Sequence, residues 1–347
     1  MKRILTLSFL MLLCTAITFT SAAQDSDNPG AYMTSISTAQ VEMNSKYMVY
    51  LSAAAHSNRK KKIEKLRQQA LESIDKSRDK TLNLPQYKGD NTLRQSSSDY
   101  IRLVYNVFND DYAKIVNMEE IAEQSFDEMQ AFILLQQKTD EKLEEASKKM
   151  SNAFTAFATK YNVKVVDAKD ELEEKLSVSG KLNVYRNDIF LIFFKCNWQD
   201  GEIVKALNSG KLTLVEQGRT SLIRYADEGL AAIVNIKNFE GDYALKDACK
   251  MSLQFYKRMA TYDLPKLTDY LLKQESFNQM KKSFEKKSTR SKDEIDSYNA
   301  AVKDINSMLE VYNSTNSRIN SERNAMLNDW NKIQSDFADQ HMPHYKK

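Results

Sequence analysis

The sequence predicts an all-α chain built as two tandem up-and-down helical bundles, and three observations carry that prediction. The 347 residues include only eight Gly and four Pro, too few for the turns of a many-stranded β fold. Leu, Ala, Met, Lys, Glu, Gln and Ser together outnumber Val and Ile, which favours helix over strand. Sliding the chain on itself by 152 residues also aligns residues 63–115 with 215–267 without a gap. Identities there include Arg67/Arg219, Asp75/Asp227, Asn83/Asn235, Gly89/Gly241 and Asp90/Asp242, and apolar character agrees at Leu71/Ile223, Tyr87/Phe239 and Leu103/Phe255. The expected origin is an internal duplication.

The elements follow in order. Lys2 and Arg3, the apolar stretch from Ile4 to Phe19 and the small residues Ser21-Ala22-Ala23 read as a signal peptide over 1–23, cleaved after Ala23. Export to the periplasm, the outer surface or the medium is therefore expected. A lipoprotein signal at Cys14 is disfavoured, because Leu13 stands where a small residue is needed. Residues 24–30 read as a disordered N-terminus. The first bundle spans 31–165, with helices near 31–57, 59–82, 90–116 and 119–161, the first two joined or separate. A linker over 166–183 holds a short helix near 168–176, with its joint at Ser177–Gly180. The second bundle spans 184–341, with helices near 184–208, 212–234, 242–288 and 292–339, the third broken near Asp263-Leu264-Pro265. The last helices of the two copies end alike, Phe157-Ala158 before Tyr161 and Phe337-Ala338 before His341. Residues 342–347 read as a frayed polar tail.

One helix stands out. Ile189 to Phe194 is six apolar residues without a polar break, followed by Trp198, and a helix apolar all round is buried on more than one side. It is expected to pack between the copies; the alternative is a partner-binding patch made by Phe190, Phe194 and Trp198. No later stretch is long enough to span a membrane. Cys196 and Cys249 both fall on apolar stripes and read as core thiols, on helices placed diagonally and too far apart for a disulfide.

Chemistry-bearing motifs are scarce. Tyr87-Lys88-Gly89-Asp90 and Phe239-Glu240-Gly241-Asp242 repeat an aromatic-x-Gly-Asp turn. Gly89 and Gly241 supply a positive φ, while Asp90 and Asp242 serve as structural N-caps rather than cation ligands. His56, His341 and His344 are the only histidines, so none falls between residues 57 and 340 and a serine or cysteine triad inside the bundles is not expected. There is no zinc-protease, phosphate-loop or calcium-loop pattern, so no catalytic residue, cofactor or metal is assigned. Two basic runs remain: Arg59, Lys60, Lys61 and Lys62 with Lys65 and Arg67, and Lys281 and Lys282 with Lys286, Lys287, Arg290 and Lys292. Each is either a solvated helix face or a contact for an anionic envelope polymer or lipid headgroup. The formal charge of +3 falls to +1 once Lys2 and Arg3 are removed, which argues against nucleic acid as a partner.

With its Ala23/Gln24 junction and duplicated Gly-Asp turns, the chain resembles uncharacterised exported helical-bundle proteins of Bacteroidetes-type bacteria. The resemblance implies a periplasmic or surface address and carries no catalytic residues over. The expected function is a non-enzymatic envelope or surface protein acting through helical surfaces, in partner binding or envelope maintenance. Two alternatives stand beside it. One is a ligand-binding or enzymatic bundle with its site between the copies, which requires two or more buried carboxylates beside the helix 184–209. The other is a membrane-active protein that releases the segment Ile189–Phe194.

Overall fold

The computed structural model describes residues 28–57, 59–122, 125–165 and 171–346. The segment 1–23, expected to be a signal peptide, lies outside them. Among the described residues the chain is all-α, with nine α-helices, one π-helical turn and no strand. They are α1 (Pro29–His56), α2 (Lys60–Leu82), α3 (Thr92–Ala122), α4 (Phe126–Lys160), α5 (Glu171–Asn208), α6 (Leu212–Asn235), α7 (Ala244–Arg258), α8 (Leu264–Glu285) and α9 (Lys292–His341). Several boundaries recur at the offset of 152: α1 ends at His56 and α5 at Asn208, α2 begins at Lys60 and α6 at Leu212, α3 begins at Thr92 and α7 at Ala244.

The chain divides into two compact units, one running to Asn187 and taking in Ser335–Lys347, the other Asp188–Gln334. This differs from the predicted division into 31–165 and 184–341.

In the first unit, α1 starts where its capping chemistry is complete. Asn28 accepts from the Gly30 and Ala31 amides at 2.8 and 3.1 Å, and Pro29 needs no partner for a missing N–H. The predicted disordered stretch 24–30 therefore gives way to helix at Pro29. α1 and α2 are separate helices. α1 packs along α2, α2 along α3 and α3 along α4, and Ser77 donates to the Ala39 carbonyl at 2.7 Å. Tyr32, Met33 and Ile36 of α1 bury against Tyr87, Leu93, Ala153 and Phe157. The predicted joint at Ser177–Gly180 does not exist, because α5 runs through it. Ser179 is 1% exposed and returns its hydroxyl to the Lys175 carbonyl at 2.7 Å, so burial overrides weak local propensity.

The C-terminal segment is also not a frayed tail. Met342 is buried, the Tyr345 amide donates to Ser52 Oγ at 3.0 Å, and the Tyr345 hydroxyl donates to Ser45 Oγ at 3.2 Å. His56 bridges Asp339 Oδ1 at 2.7 Å and the Met342 carbonyl at 2.9 Å, and His344 stacks on it with centroids 3.7 Å apart.

The two aromatic-x-Gly-Asp turns share one geometry. Gly89 and Gly241 hold φ of 82° and 85°, and the residues before them, Lys88 and Glu240, also have positive φ. Asp90 accepts from the Thr92 amide at 2.9 Å, and Asp242 from the Ala244 amide at 2.7 Å. Each Asp sits one position before the N-cap and closes an Asx turn, a correction to the N-cap assignment. The Lys160 ammonium, 2.7 Å away, and the Thr92 amide hold the Asp90 carboxyl down at about 2. Asp90→Ala and Asp242→Ala are each expected to destabilise by about 0.5–2 kcal/mol at neutral pH. A depressed carboxyl contributes stability that is present above its ordinary range and lost as pH falls toward about 2, so the Asp90 penalty should shrink in acid. Denaturant titrations at neutral and acid pH measure it, and stability unchanged at neutral pH in both variants would remove the turn's role.

The second unit packs α6 on α7 and on the π turn that follows, Met259–Asp263. Pro265 explains the turn. It has no N–H for the Thr261 carbonyl and its ring would crowd that group, so the helix widens by one residue instead of breaking. α6 approaches α5 closely at Gly218, where a Cβ would lie 2.7 Å from Ile203 Cγ1. Phe193, Leu253, Tyr256 and Trp330 centre the core.

Candidate functional site

The second unit contains a buried polar network around the π turn. Asp200 on α5 is 3% exposed and Asp263, the last residue of the turn, 4%. The Arg323 guanidinium from α9 grips Asp200 with two bonds, Nε to Oδ2 at 2.6 Å and Nη2 to Oδ1 at 2.9 Å. The same Nη2 lies 3.5 Å from Met259 Sδ, which ties the pair to the π turn. Arg318, one turn earlier on α9, donates to Asp263 Oδ1 at 2.6 Å, while Asp263 Oδ2 makes no hydrogen bond. Glu322 accepts from both Arg318 and Arg258. Tyr256, buried beside them, donates to Asn197 Oδ1 at 3.0 Å.

Burial pushes the Asp200 carboxyl up, and Arg323 works against that shift. It also raises the Tyr256 phenol well above its ordinary range. The thiols of Cys196 and Cys249 are free and buried, and desolvation lifts Cys196 to about 12 and Cys249 higher, so both are protonated and unreactive at neutral pH. Cys249 Sγ is 3.8 Å from the Ile189 carbonyl. Two buried carboxylates, Asp200 on α5 itself and Asp263, thus meet arginines inside the second unit. Each carboxylate is matched by an arginine, which makes the network a set of ion pairs rather than a free acid–base couple. Among the described residues no three metal-ligating side chains come together. All three histidines sit in the first unit.

The predicted partner surface divides. Phe190 and Phe194 are 6% and 5% exposed with rings 5.4 Å apart, and Trp198 is half-buried. An apolar run of six cannot keep one face wet on a helix packed from several sides, so this patch is core and the surface assignment is corrected.

Lys281 and Lys282 are exposed at the end of α8. The basic run around them is partly answered by local acceptors: Lys281 lies 3.9 Å from Glu285 and Lys287 pairs with Glu294. Arg290 caps the Phe284 carbonyl at 2.9 Å.

Arg59, Lys60, Lys61, Lys62 and Lys65 behave differently. All five are exposed at the start of α2, and among the described residues none forms an ion pair. Glu64, the nearest acid in sequence, is held by Arg67 at 2.9 Å. Cations at a helix N-terminus oppose the helix dipole, so this cluster costs the fold stability. The equivalent turn of α6 reads Lys211-Leu212-Thr213-Leu214, with one cation, and forms the same helix start. The fold therefore does not need the basic cluster.

No family model, curated protein or solved structure matches the chain.

Proposed function

We propose that the chain is an exported, non-enzymatic protein of the cell envelope that binds an anionic, phosphate-rich surface through the basic edge of α2. The observation that carries this reading is the set of five exposed cations at Arg59–Lys62 and Lys65, none in an ion pair among the described residues, where the repeated helix manages with one. Protonated thiols, arginine-bound carboxylates and histidines spent on docking the C-terminal segment support a binding role over a catalytic one. The export signal supports the envelope address.

Cosedimentation of residues 24–347 with vesicles tests it, using phosphatidylglycerol-containing against neutral vesicles and soluble polyphosphate as a third arm. Anionic vesicles should bind, with affinity falling steeply as salt rises. Reversing Arg59, Lys60, Lys61 and Lys62 to Glu should weaken binding at least tenfold, since each cation near an anionic surface contributes about 1 kcal/mol. Preference for polyphosphate would assign a polymer rather than a lipid. Equal binding by the reversed variant would reject the basic edge.

A second reading is favoured by the buried network: a polar ligand could displace one arginine and reach Asp263 Oδ2, the carboxylate oxygen without a hydrogen bond. A rise in melting temperature of the basic-edge variant with a small cationic ligand would support it. Among the described residues no helix is long and apolar enough to cross a membrane. Vesicle leakage in the same assay would favour a membrane-active role instead.

A further inference from the structure

The C-terminal segment is fastened to α1 through two imidazoles. Pro343 has no N–H with which to continue α9, so the chain leaves the helix after His341 and runs onto α1. Met342 is buried there, and the Tyr345 amide and hydroxyl reach Ser52 and Ser45. Lys175 of α5 donates to the His344 carbonyl at 3.0 Å, with its ammonium 5.5 Å from the centre of the Tyr345 ring. All of these residues belong to the first unit.

The geometry at His56 fixes a charge. Its side chain is 11% exposed, with Nδ1 2.7 Å from Asp339 Oδ1 and Nε2 2.9 Å from the Met342 carbonyl oxygen. A carboxylate and a carbonyl only accept hydrogen bonds, and a neutral imidazole has one N–H to give. Both contacts are hydrogen bonds only when His56 is an imidazolium. In either neutral tautomer one of them sets a nitrogen lone pair against an oxygen. The helix ends suit the cation as well. His56 is the last residue of α1, where the dipole favours positive charge, and Asp339 lies in the last turn of α9, where a carboxylate gains from a cation beside it.

His344 carries the opposite requirement. Its ring lies on that of His56 with centroids 3.7 Å apart and planes 21° from parallel. A neutral imidazole can rest on an imidazolium, whereas a second imidazolium would bring two like charges face to face. The other charged or titratable groups of these elements are Asp336, one turn before Asp339 on α9, and Lys175, paired with Glu171 on α5 at 2.7 Å. His341 packs on Phe337, Tyr345 and Lys346 lie in the segment itself, and Arg59 follows His56 by three residues.

We propose that His56 and His344 form a one-proton clasp, which docks Met342–Lys346 on α1 while the pair carries one charge and releases the segment when it carries none or two. Release bares Ser45 and Ser52 and brings Met342 out of the core, so the clasp switches a surface of α1. Docking takes up a proton at His56 and is therefore lost as pH rises. It also keeps a proton off His344 and is therefore lost as pH falls. Histidine changes charge between about pH 5 and 8, so docking should peak inside that span.

Because the chain has only three histidines, residues 24–347 labelled with nitrogen-15 histidine report each ring by NMR. At the docking maximum His56 should show both ring nitrogens protonated and His344 only one. Hydrogen exchange of the C-terminal peptide, corrected for its intrinsic pH dependence, follows the Tyr345 amide. Protection should be at least tenfold higher at about pH 6.5 than at about pH 9, with a second fall toward about pH 4.5. His344→Phe, at an exposed position, keeps a ring on His56 that cannot charge, and should erase the acid limb while leaving the alkaline one. His56→Gln offers one donor and one acceptor without a charge, and should lower protection and flatten both limbs. Protection independent of pH, a His56 ring with a single N–H while the segment is docked, or an acid limb unchanged in His344→Phe overturns the proposal.

Discussion

Arg323→Ala is expected to destabilise the second unit by about 3–5 kcal/mol, the cost of leaving a buried partner charge unanswered. Asp200 is 3% exposed and receives both of its strong bonds from this one guanidinium, at 2.6 and 2.9 Å. Truncation also opens space beside Met259 at the π turn.

The loss should depend on pH, and the sign follows from the cause of the shift. Burial raises the Asp200 carboxyl and Arg323 lowers it, so the variant keeps the raising influence and loses the opposing one. A carboxyl raised in the folded state penalises folding above its folded value and is relieved as pH falls through that value. The gap to wild type should therefore narrow as pH falls from neutral through the raised carboxyl's range. Urea titrations followed by circular dichroism measure both quantities. Replacing the pair together, Asp200→Leu/Arg323→Met, should recover most of the loss, because an apolar pair of similar volume carries no desolvation cost. If the double variant is as unstable as the single one, the arginine acts through packing rather than charge.

The local grammar of the chain was readable. Scarce Gly and Pro and the stripes of Leu, Met and Phe predict the helices, and 212–234 differs from the observed Leu212–Asn235 by one residue. Gly89 and Gly241 announce positive φ because a turn before a capped helix leaves few other uses for glycine. Pro265 marks the end of a regular helix. That Asp263, the last residue of the π turn, meets Arg318, 55 residues later, is a contact no local pattern encodes.

The failures have the same physical origin. Ser177–Gly180 reads as a joint only until the buried Ser179 is known, and His341–His344 reads as a frayed tail until His56 is placed under it. In both cases tertiary burial overrode weak propensity. The basic run at Arg59 was visible, but its lack of partners was not. Glu64 stands at pairing distance in sequence from several cations, and only the structure gives it to Arg67.

Trp330→Ala is expected to cost the second unit about 3–5 kcal/mol, as truncating a fully buried aromatic does. The Trp330 indole is 2% exposed and lies face to face with Phe193, centroids 4.0 Å apart and planes 16° from parallel. Phe193 in turn meets Tyr256 at 6.4 Å, so one cavity would loosen the α5, α7 and α9 packing together. The indole Nε1 makes no hydrogen bond, which means its polar atom contributes nothing that a phenyl ring would lose. Trp330→Phe should therefore cost about 1–2 kcal/mol, the smaller penalty of a partly filled site. Trp330 follows Arg323 by seven residues on α9, two turns along the same face. A variant lacking both side chains should exhaust the ~5–15 kcal/mol that holds an ordinary domain folded. The expected result is loss of the second unit's cooperative transition while the first unit, whose core is Tyr32, Met33, Ile36 and Phe157, still melts as one. A single shared transition in that variant would mean that the two units unfold as one, and that α5 and α9, which contribute to both, transmit the loss.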